Sequence, residues 1–172
     1  MKPHLLLTVV PGAGKTTVIR RVADSLPGDT LGGFYTEEMR TRGERRGFRL
    51  ITFAGVQAII AHVDFSKTDR VGKYGVDVSA IDRALDAALA ERREVALYLV
   101  DEIGKMECLS ERFVALMRRL LASRAPLVAT VAKRGAGFIA EVKRREDCEL
   151  WTLSRGNRDA MPQQILAWLA RK

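Results

Sequence analysis

A lysine and a threonine near the amino terminus and two adjacent acids in the middle of the chain are the residues best placed to do chemistry. Gly12-Ala13-Gly14-Lys15-Thr16 fits the second half of the pattern G-x-x-x-x-G-K-[ST], and it follows the apolar run Leu5-Leu6-Leu7-Thr8-Val9-Val10. Glycine lets the backbone come close to a ligand without a side chain in the way. Backbone N–H groups gathered at the positive end of a helix bind anionic phosphates. Lys15 would then reach the β- and γ-phosphates of a nucleotide, and the Thr16 hydroxyl would join the shell of a Mg²⁺ ion. The first glycine of the pattern falls at residue 9, where this chain has Val9. A β-branched residue avoids angles that glycine tolerates. The expectation is therefore that the loop path shifts, or that the Val9 side chain crowds a neighbouring acidic strand end.

That strand end is Asp101-Glu102, which closes the apolar run Val95-Ala96-Leu97-Tyr98-Leu99-Val100. A carboxylate at the carboxyl end of a buried strand can hold the water shell of Mg²⁺, which is the role expected of Asp101. Glu102 can act as general base or position an attacking water. On its own an acidic strand end is more often a solvated feature; beside Lys15-Thr16 the catalytic reading is the better one.

These residues need strands and helices to hold them, and the periodicity supplies both. Residues 4–10 read as a strand buried on both faces, and about Lys15 to Leu26 as a helix with Val18, Ile19, Val22, Ala23 and Leu26 on one side, stopped by Pro27-Gly28-Asp29. Gly33–Thr36 and Phe48–Phe53 are two β-prone runs flanking Thr41–Glu44, a hairpin unit rich in arginine (Arg40, Arg42, Arg45, Arg46, Arg49). A solvated tip is the favoured account of those arginines; a flap over a triphosphate or a nucleic-acid contact is the other. Residues 55–76 carry no readable period. A helix follows with Ile81, Ala84, Leu85, Ala88 and Leu89 inward and Ser79 as its expected N-cap. After the acidic strand come a helix over 110–122, a strand over 126–131, a basic helix opened by Gly137 with Lys143, Arg144 and Arg145, a strand over 150–153, and a last helix from about Asp159 to Ala170. Strand–helix alternation implies a parallel sheet between helical layers.

Composition narrows the field. The 172 residues suit one domain, and 47% apolar with 29% charged residues is a soluble globular balance. A net charge of +8 favours anionic partners, nucleotides or nucleic acid. Basic pairs such as Arg20-Arg21 and Arg118-Arg119 fall on helical patterns, where a solvated face explains them. Cys108 and Cys148 make no disulfide framework or zinc spacing, in keeping with a reducing cytoplasm. Lys2 ahead of Leu5–Val10 imitates a signal peptide, but the run is short and leads straight into the glycine loop. No stretch is long enough to span a bilayer.

PGAGKTT, GFYTEE at Gly33–Glu38 with RRGF at Arg45–Phe48, DEIGKME at Asp101–Glu107, and Asn157-Arg158 together make the chain resemble the cancer-related nucleoside-triphosphatase family, small single-domain P-loop proteins. The resemblance implies a P-loop NTPase three-layer α/β/α sandwich, mostly parallel, with a β-hairpin after the first helix. It implies Mg²⁺-dependent hydrolysis of nucleoside triphosphates, ATP and GTP among them, with loose base preference. It places the nucleotide on Val9, Val10, Pro11, Gly12, Ala13, Gly14, Lys15, Thr16 and Thr17, and on Leu99, Val100, Asp101, Glu102, Ile103, Gly104, Lys105 and Met106. Asn157 and Arg158 complete the binding set, Lys15 and Glu102 are the catalytic pair, and Thr16 and Asp101 the metal ligands. A monomer is expected. Two other readings remain: a nucleoside or nucleotide kinase, against which no clear acceptor site is visible, and a nucleotide-dependent nucleic-acid-binding protein, which lacks an aromatic-interleaved basic motif. Asp101-Glu102-Ile103-Gly104 also fits the D-x-x-G of GTPase switches, but Ser66-Lys67-Thr68-Asp69, the nearest match to their guanine motif, precedes it and should follow it.

Overall fold

In the computed structural model, which describes residues 2–172, the apolar runs become the middle of one nine-stranded sheet. In chain order the elements are β1 (His4–Val9), α1 (Lys15–Asp24), β2 (Leu31–Thr41), β3 (Glu44–Thr52), β4 (Gln57–His62), β5 (Arg70–Val71), β6 (Tyr74–Val76) and α2 (Val78–Ala88). There follow β7 (Leu97–Ile103), α3 (Glu111–Ala122), β8 (Leu127–Val131), α4 (Phe138–Lys143), β9 (Cys148–Leu153) and α5 (Met161–Leu169). The strand order is β5-β6-β4-β3-β2-β7-β8-β1-β9. From β2 to β9 every neighbouring pair is parallel; from β2 outward through β3, β4, β6 and β5 every pair is antiparallel.

The pleat sorts the core. Leu5 and Leu7 of β1, with Leu97 and Leu99 of β7, face α1 and α5, where they meet Ile19, Val22, Ile165 and Trp168. Leu6, Tyr98 and Val100 point to the other face, against Ile81 and Leu85 of α2, Phe113 and Met117 of α3, and Phe138 of α4. Successive strand side chains alternate between faces, so an unbroken apolar run is what a sheet covered on both sides requires. The expected three layers are present.

Three local expectations change. The hairpin strands are longer than the β-prone runs, and the connection shrinks to Arg42-Gly43, both at positive φ (52° and 82°). Two residues with positive φ form the tight turn whose twist suits a hairpin. Only Arg42 therefore sits at the tip; Arg40 belongs to β2 and Arg45, Arg46 and Arg49 to β3. The N-cap of α2 is Asp77 and not Ser79, because the Asp77 carboxylate accepts the Ala80 N–H at 3.0 Å. Helix α4 stops at Lys143, which leaves Arg144 and Arg145 beyond its end. Residues 57–76 supply β4, β5 and β6, the antiparallel flank of the sheet.

Candidate active site

Between β1 and α1 the chain turns sharply, with Gly12 at φ 75° and Gly14 at φ 85°. The Val10 N–H donates to Leu153 O at 3.1 Å and the Ala13 N–H to Val10 O at 3.0 Å, which fixes the loop to β9. Gly14 is the N-cap of α1; no side chain caps this helix, and its first turn holds no acid. Its leading N–H groups are thus left for an outside anion.

Val9 corrects the expectation set by the motif. It ends β1 in register with Leu153, and Arg42 is the only non-glycine residue with positive φ among the described residues. Its side chain packs on the apolar cluster under α1 and α5. The turn is made by Gly12 and Gly14 instead.

Asp101 lies across β8 from the loop and is fully buried. Thr16 Oγ1 donates to its Oδ2 at 2.5 Å and Thr130 Oγ1 to its Oδ1 at 2.8 Å. Burial pushes the Asp101 carboxyl above its ordinary value, while Lys15 and the two hydroxyls pull the other way. Lys15 Nζ stands 2.9 Å from Glu102 Oε2 and 4.0 Å from Asp101 Oδ1. Burial acts to lower the Lys15 pKa, yet Asp101 and Glu102 outweigh it and the ammonium is held above its usual value. A regular pleat would send Asp101 and Glu102 to opposite faces. Here β7 bulges against β8, Val100 pairing with Ala129 and Ile103 with Val131, and the Asp101–Glu102 peptide is cis. Such a bulge re-aims side chains, and both acids reach the one lysine.

Of these, Lys15, Thr16 and Glu102 line a cleft of about 1140 Å³, while Asp101 and Thr130 are fully buried. Val9, Pro11, Gly12, Ala13, Gly14, Lys15, Thr16, Thr17 and Glu102 form one side of it. The others of the expected set lie apart. Val10 holds the loop through its backbone. Leu99, Val100 and Ile103 are wholly buried core side chains, Met106 packs against the α2–α3 cluster, and Lys105 is exposed. Their part is to carry Asp101 and Glu102. Gly104 is buried beneath Glu102. Asn157 shapes the β9–α5 loop, its Oδ1 accepting from Ser154 N and its Nδ2 donating to Thr152 O, both at 2.8 Å. Arg158 reaches the loop: its Cδ and one guanidinium nitrogen lie 3.9 Å from where a Cβ on Gly14 would stand.

The structure adds residues to the cleft that were not in the expected binding set, and for Arg45 it favours the flap reading over the solvated tip. Thr36, Glu37, Glu38, Arg45 and Phe48 of the hairpin form the opposite wall, and Ala132, Lys133 and Arg134 beyond β8 form another. Arg45 and Arg40 both pair with Glu38 (2.6 and 2.7 Å), Arg46 pairs with Asp64, and the Arg45 guanidinium stacks over Phe48. The hairpin arginines are thus largely tied to acids, and Arg45 serves the cleft wall. GFYTEE and RRGF were the available signal for this wall. Arg155, from the β9–α5 loop, lies over Gly12 with a guanidinium nitrogen 3.2 Å from where a Cβ would be; nothing in its sequence context marks it. Among the described residues there is no cluster of three or more His, Cys, Asp or Glu suited to a metal. No helix among them is long and apolar enough to cross a membrane.

A three-layer α/β/α sandwich with an uncapped glycine loop opening its first helix, and a buried acid hydrogen-bonded to the residue after the loop lysine, is the architecture of the P-loop NTPases. Within that class the chain belongs to the family described as NTPase, whose profile matches residues 4–166. It is 38% identical over 169 residues to the nucleoside-triphosphatase THEP1 of Thermotoga sp. (strain RQ2), covering 96% of this chain and 94% of that protein. The crystal structure of THEP1 from the hyperthermophile Aquifex aeolicus superposes with a TM-score of 0.88 at 32% identity, covering 96% of this chain and 98% of that one. The solution structure of a human cancer-related nucleoside triphosphatase gives 0.81 at 28% identity, covering 96% of each chain.

Proposed function

We propose that the protein hydrolyses nucleoside 5′-triphosphates to the diphosphate and phosphate. The observation that carries this reading is the Glu102 carboxylate, 2.9 Å from the loop lysine and open to the same cleft. The triphosphate would lie over the N–H groups of Gly12–Thr16 at the positive end of α1. Lys15 would leave Glu102 for the phosphate oxygens, and the freed carboxylate would take a proton from a water. The water oxygen bonds to the γ-phosphorus as the bond to the β–γ bridging oxygen breaks, its electron pair leaving on the diphosphate.

The Thr16 hydroxyl and Asp101 carboxylate, hard oxygen donors 2.5 Å apart, fit Mg²⁺, which binds through few protein oxygens and shares its shell with water and phosphate. The ion would supply neutralisation of charge between the β- and γ-phosphates. We extend the reading to ATP, GTP and other triphosphates alike, since the relatives' names specify the class and no single base. One chain supplies the loop, the acidic strand end and the hairpin wall, in keeping with a monomer of one domain. Free Cys108 and Cys148 suit the cytoplasm. The test is phosphate release from ATP and GTP with Mg²⁺ and no acceptor. Turnover only on addition of a nucleoside or monophosphate would replace this reading with a kinase.

A further inference from the structure

The acidic segment does not end at Glu102. Glu107 closes the same DEIGKME stretch and has no part in the chemistry above, yet it is 6% exposed and lies against the site. The meeting point is Gly104. A Cβ added there would stand 2.8 Å from Glu107 Oε2 and 2.9 Å from Glu102 Oε1. A side chain at Gly104 would press on both carboxyl groups. The oxygens of Glu102 are thus divided: Oε2 turns to Lys15, and Oε1 turns toward Gly104 and Glu107.

The turn that carries Glu107 is held on both sides. The Cys108 N–H donates to Gly104 O and the Ser110 N–H to Glu107 O, each at 3.0 Å. Ser110 Oγ caps α3 by accepting the Phe113 N–H and donates in turn to Asp82 of α2. A side chain on so fixed a turn has little freedom to move away from Glu102.

We propose that Glu107 is a positioning residue for Glu102, packed against it across Gly104 so that the Glu102 carboxylate stays aimed at Lys15 and the cleft. The proposal rests on the hydrolytic reading above. Burial, and next to it the charge of Glu102, push the Glu107 carboxyl up to about 8. Near neutral pH it keeps its proton, which removes the repulsion of two neighbouring anions. The other charged groups facing it are Asp101 from β7 and Lys15 from α1. Cys108 beside it is pushed up to about 12 by burial and stays neutral. From α2, Asp82 is held by Ser110, and the charged side chains of α3 (Glu111, Arg112, Arg118 and Arg119) are on its exposed face.

The test is acceptor-free phosphate release from ATP with Mg²⁺ by wild type, Glu107→Gln and Glu107→Ala from about pH 6 to about pH 9, with kcat and KM separated. Glu107→Ala should lower kcat by up to roughly 100-fold, the size of effect that loss of positioning produces, with KM nearly unchanged. Glutamine imitates the protonated acid, so Glu107→Gln should restore the rate near neutrality. It should also hold that rate at about pH 9, where wild type declines as Glu107 ionises. A Glu107→Ala enzyme with wild-type kcat, or a Glu107→Gln enzyme with the wild-type alkaline decline, overturns the proposal. If the alanine variant does not fold, the glutamine pH profile alone decides. Absence of acceptor-free release by wild type would instead remove the hydrolytic reading itself.

Discussion

Replacing Glu102 with glutamine should move binding and turnover in opposite directions. In the free protein Lys15 Nζ is 2.9 Å from Glu102 Oε2, with the two side chains 31% and 24% exposed. At that distance two unit charges attract by about 1.4 kcal/mol at the dielectric of water and about 5.7 kcal/mol at an effective dielectric of about 20. Desolvation and the cost of fixing two side chains reduce the net value of a partly exposed pair to about 1 kcal/mol. A triphosphate must draw Lys15 away from this partner. Glu102→Gln removes the competition while keeping the shape, so triphosphate affinity should rise about 5-fold. The same change removes the proton acceptor, and turnover should fall roughly 10²- to 10⁴-fold. The assay is equilibrium titration with a fluorescent ATP analogue and Mg²⁺, set beside single-turnover phosphate release. Weaker binding by the variant would show that Glu102 does not compete for Lys15. An unchanged rate would show that another group handles the water.

Two further outcomes follow from the site and the core. Val9→Gly should leave affinity and turnover nearly as they are, because Val9 has strand geometry, while Gly12→Ala places a side chain at φ 75° and 3.2 Å from Arg155 and should weaken triphosphate binding by about 5- to 150-fold; the same titration compares them. His4 is fully buried with Nδ1 unpartnered among the described residues, and burial lowers its pKa against the opposing pull of Asp147, so its contribution to stability is complete above the unfolded value of about 6.5 and is lost as pH falls from there toward the folded value. Urea midpoints at about pH 7.5 and pH 5 should therefore drop more in wild type than in His4→Gln, and equal drops would refute the assignment.

The parts of the fold that could be read from residues are those in which burial and period agree. Leu5–Leu7 and Leu97–Val100 are apolar without a break because both faces of each strand are covered, so strand type and parallel setting follow together. Residues 57–76 had no such signal. β5 and β6 have two and three residues, too few to show any period, and β4 pairs on its outer side through Ala61 and His62 alone. Ser79 and Asp77 are both good caps by type, and only the backbone path decides between them. At the site, Lys15, Thr16, Asp101 and Glu102 were legible because each needs a particular residue type. Leu99, Val100 and Ile103 serve the same segment through packing, which a motif match cannot separate from contact. Arg155 went unseen because an exposed loop arginine looks alike whether it faces solvent or a ligand loop.

Charge in the cleft explains why these residues come as a set. Three carboxyl groups, Asp101, Glu102 and Glu107, act on one lysine beside the loop proposed to take a triphosphate. Left ionised and unpartnered together they would repel both one another and the ligand. Each is managed differently. Asp101 is wrapped by the Thr16 and Thr130 hydroxyls, Glu102 is matched by Lys15, and Glu107 retains its proton near neutrality. Only the second arrangement can be undone by a phosphate, because Lys15 alone among these partners carries a full positive charge at the end of a flexible stem. On the hydrolytic reading, arrival of the triphosphate would draw Lys15 away and free the Glu102 carboxylate to act as base. The motif spacing from Asp101 to Glu107 thus has a physical sense beyond recognition. It would set Glu102, the base of the proposed hydrolysis, between the hydroxyl-wrapped Asp101 and the buried Glu107, with Lys15 as the partner that a phosphate can draw away.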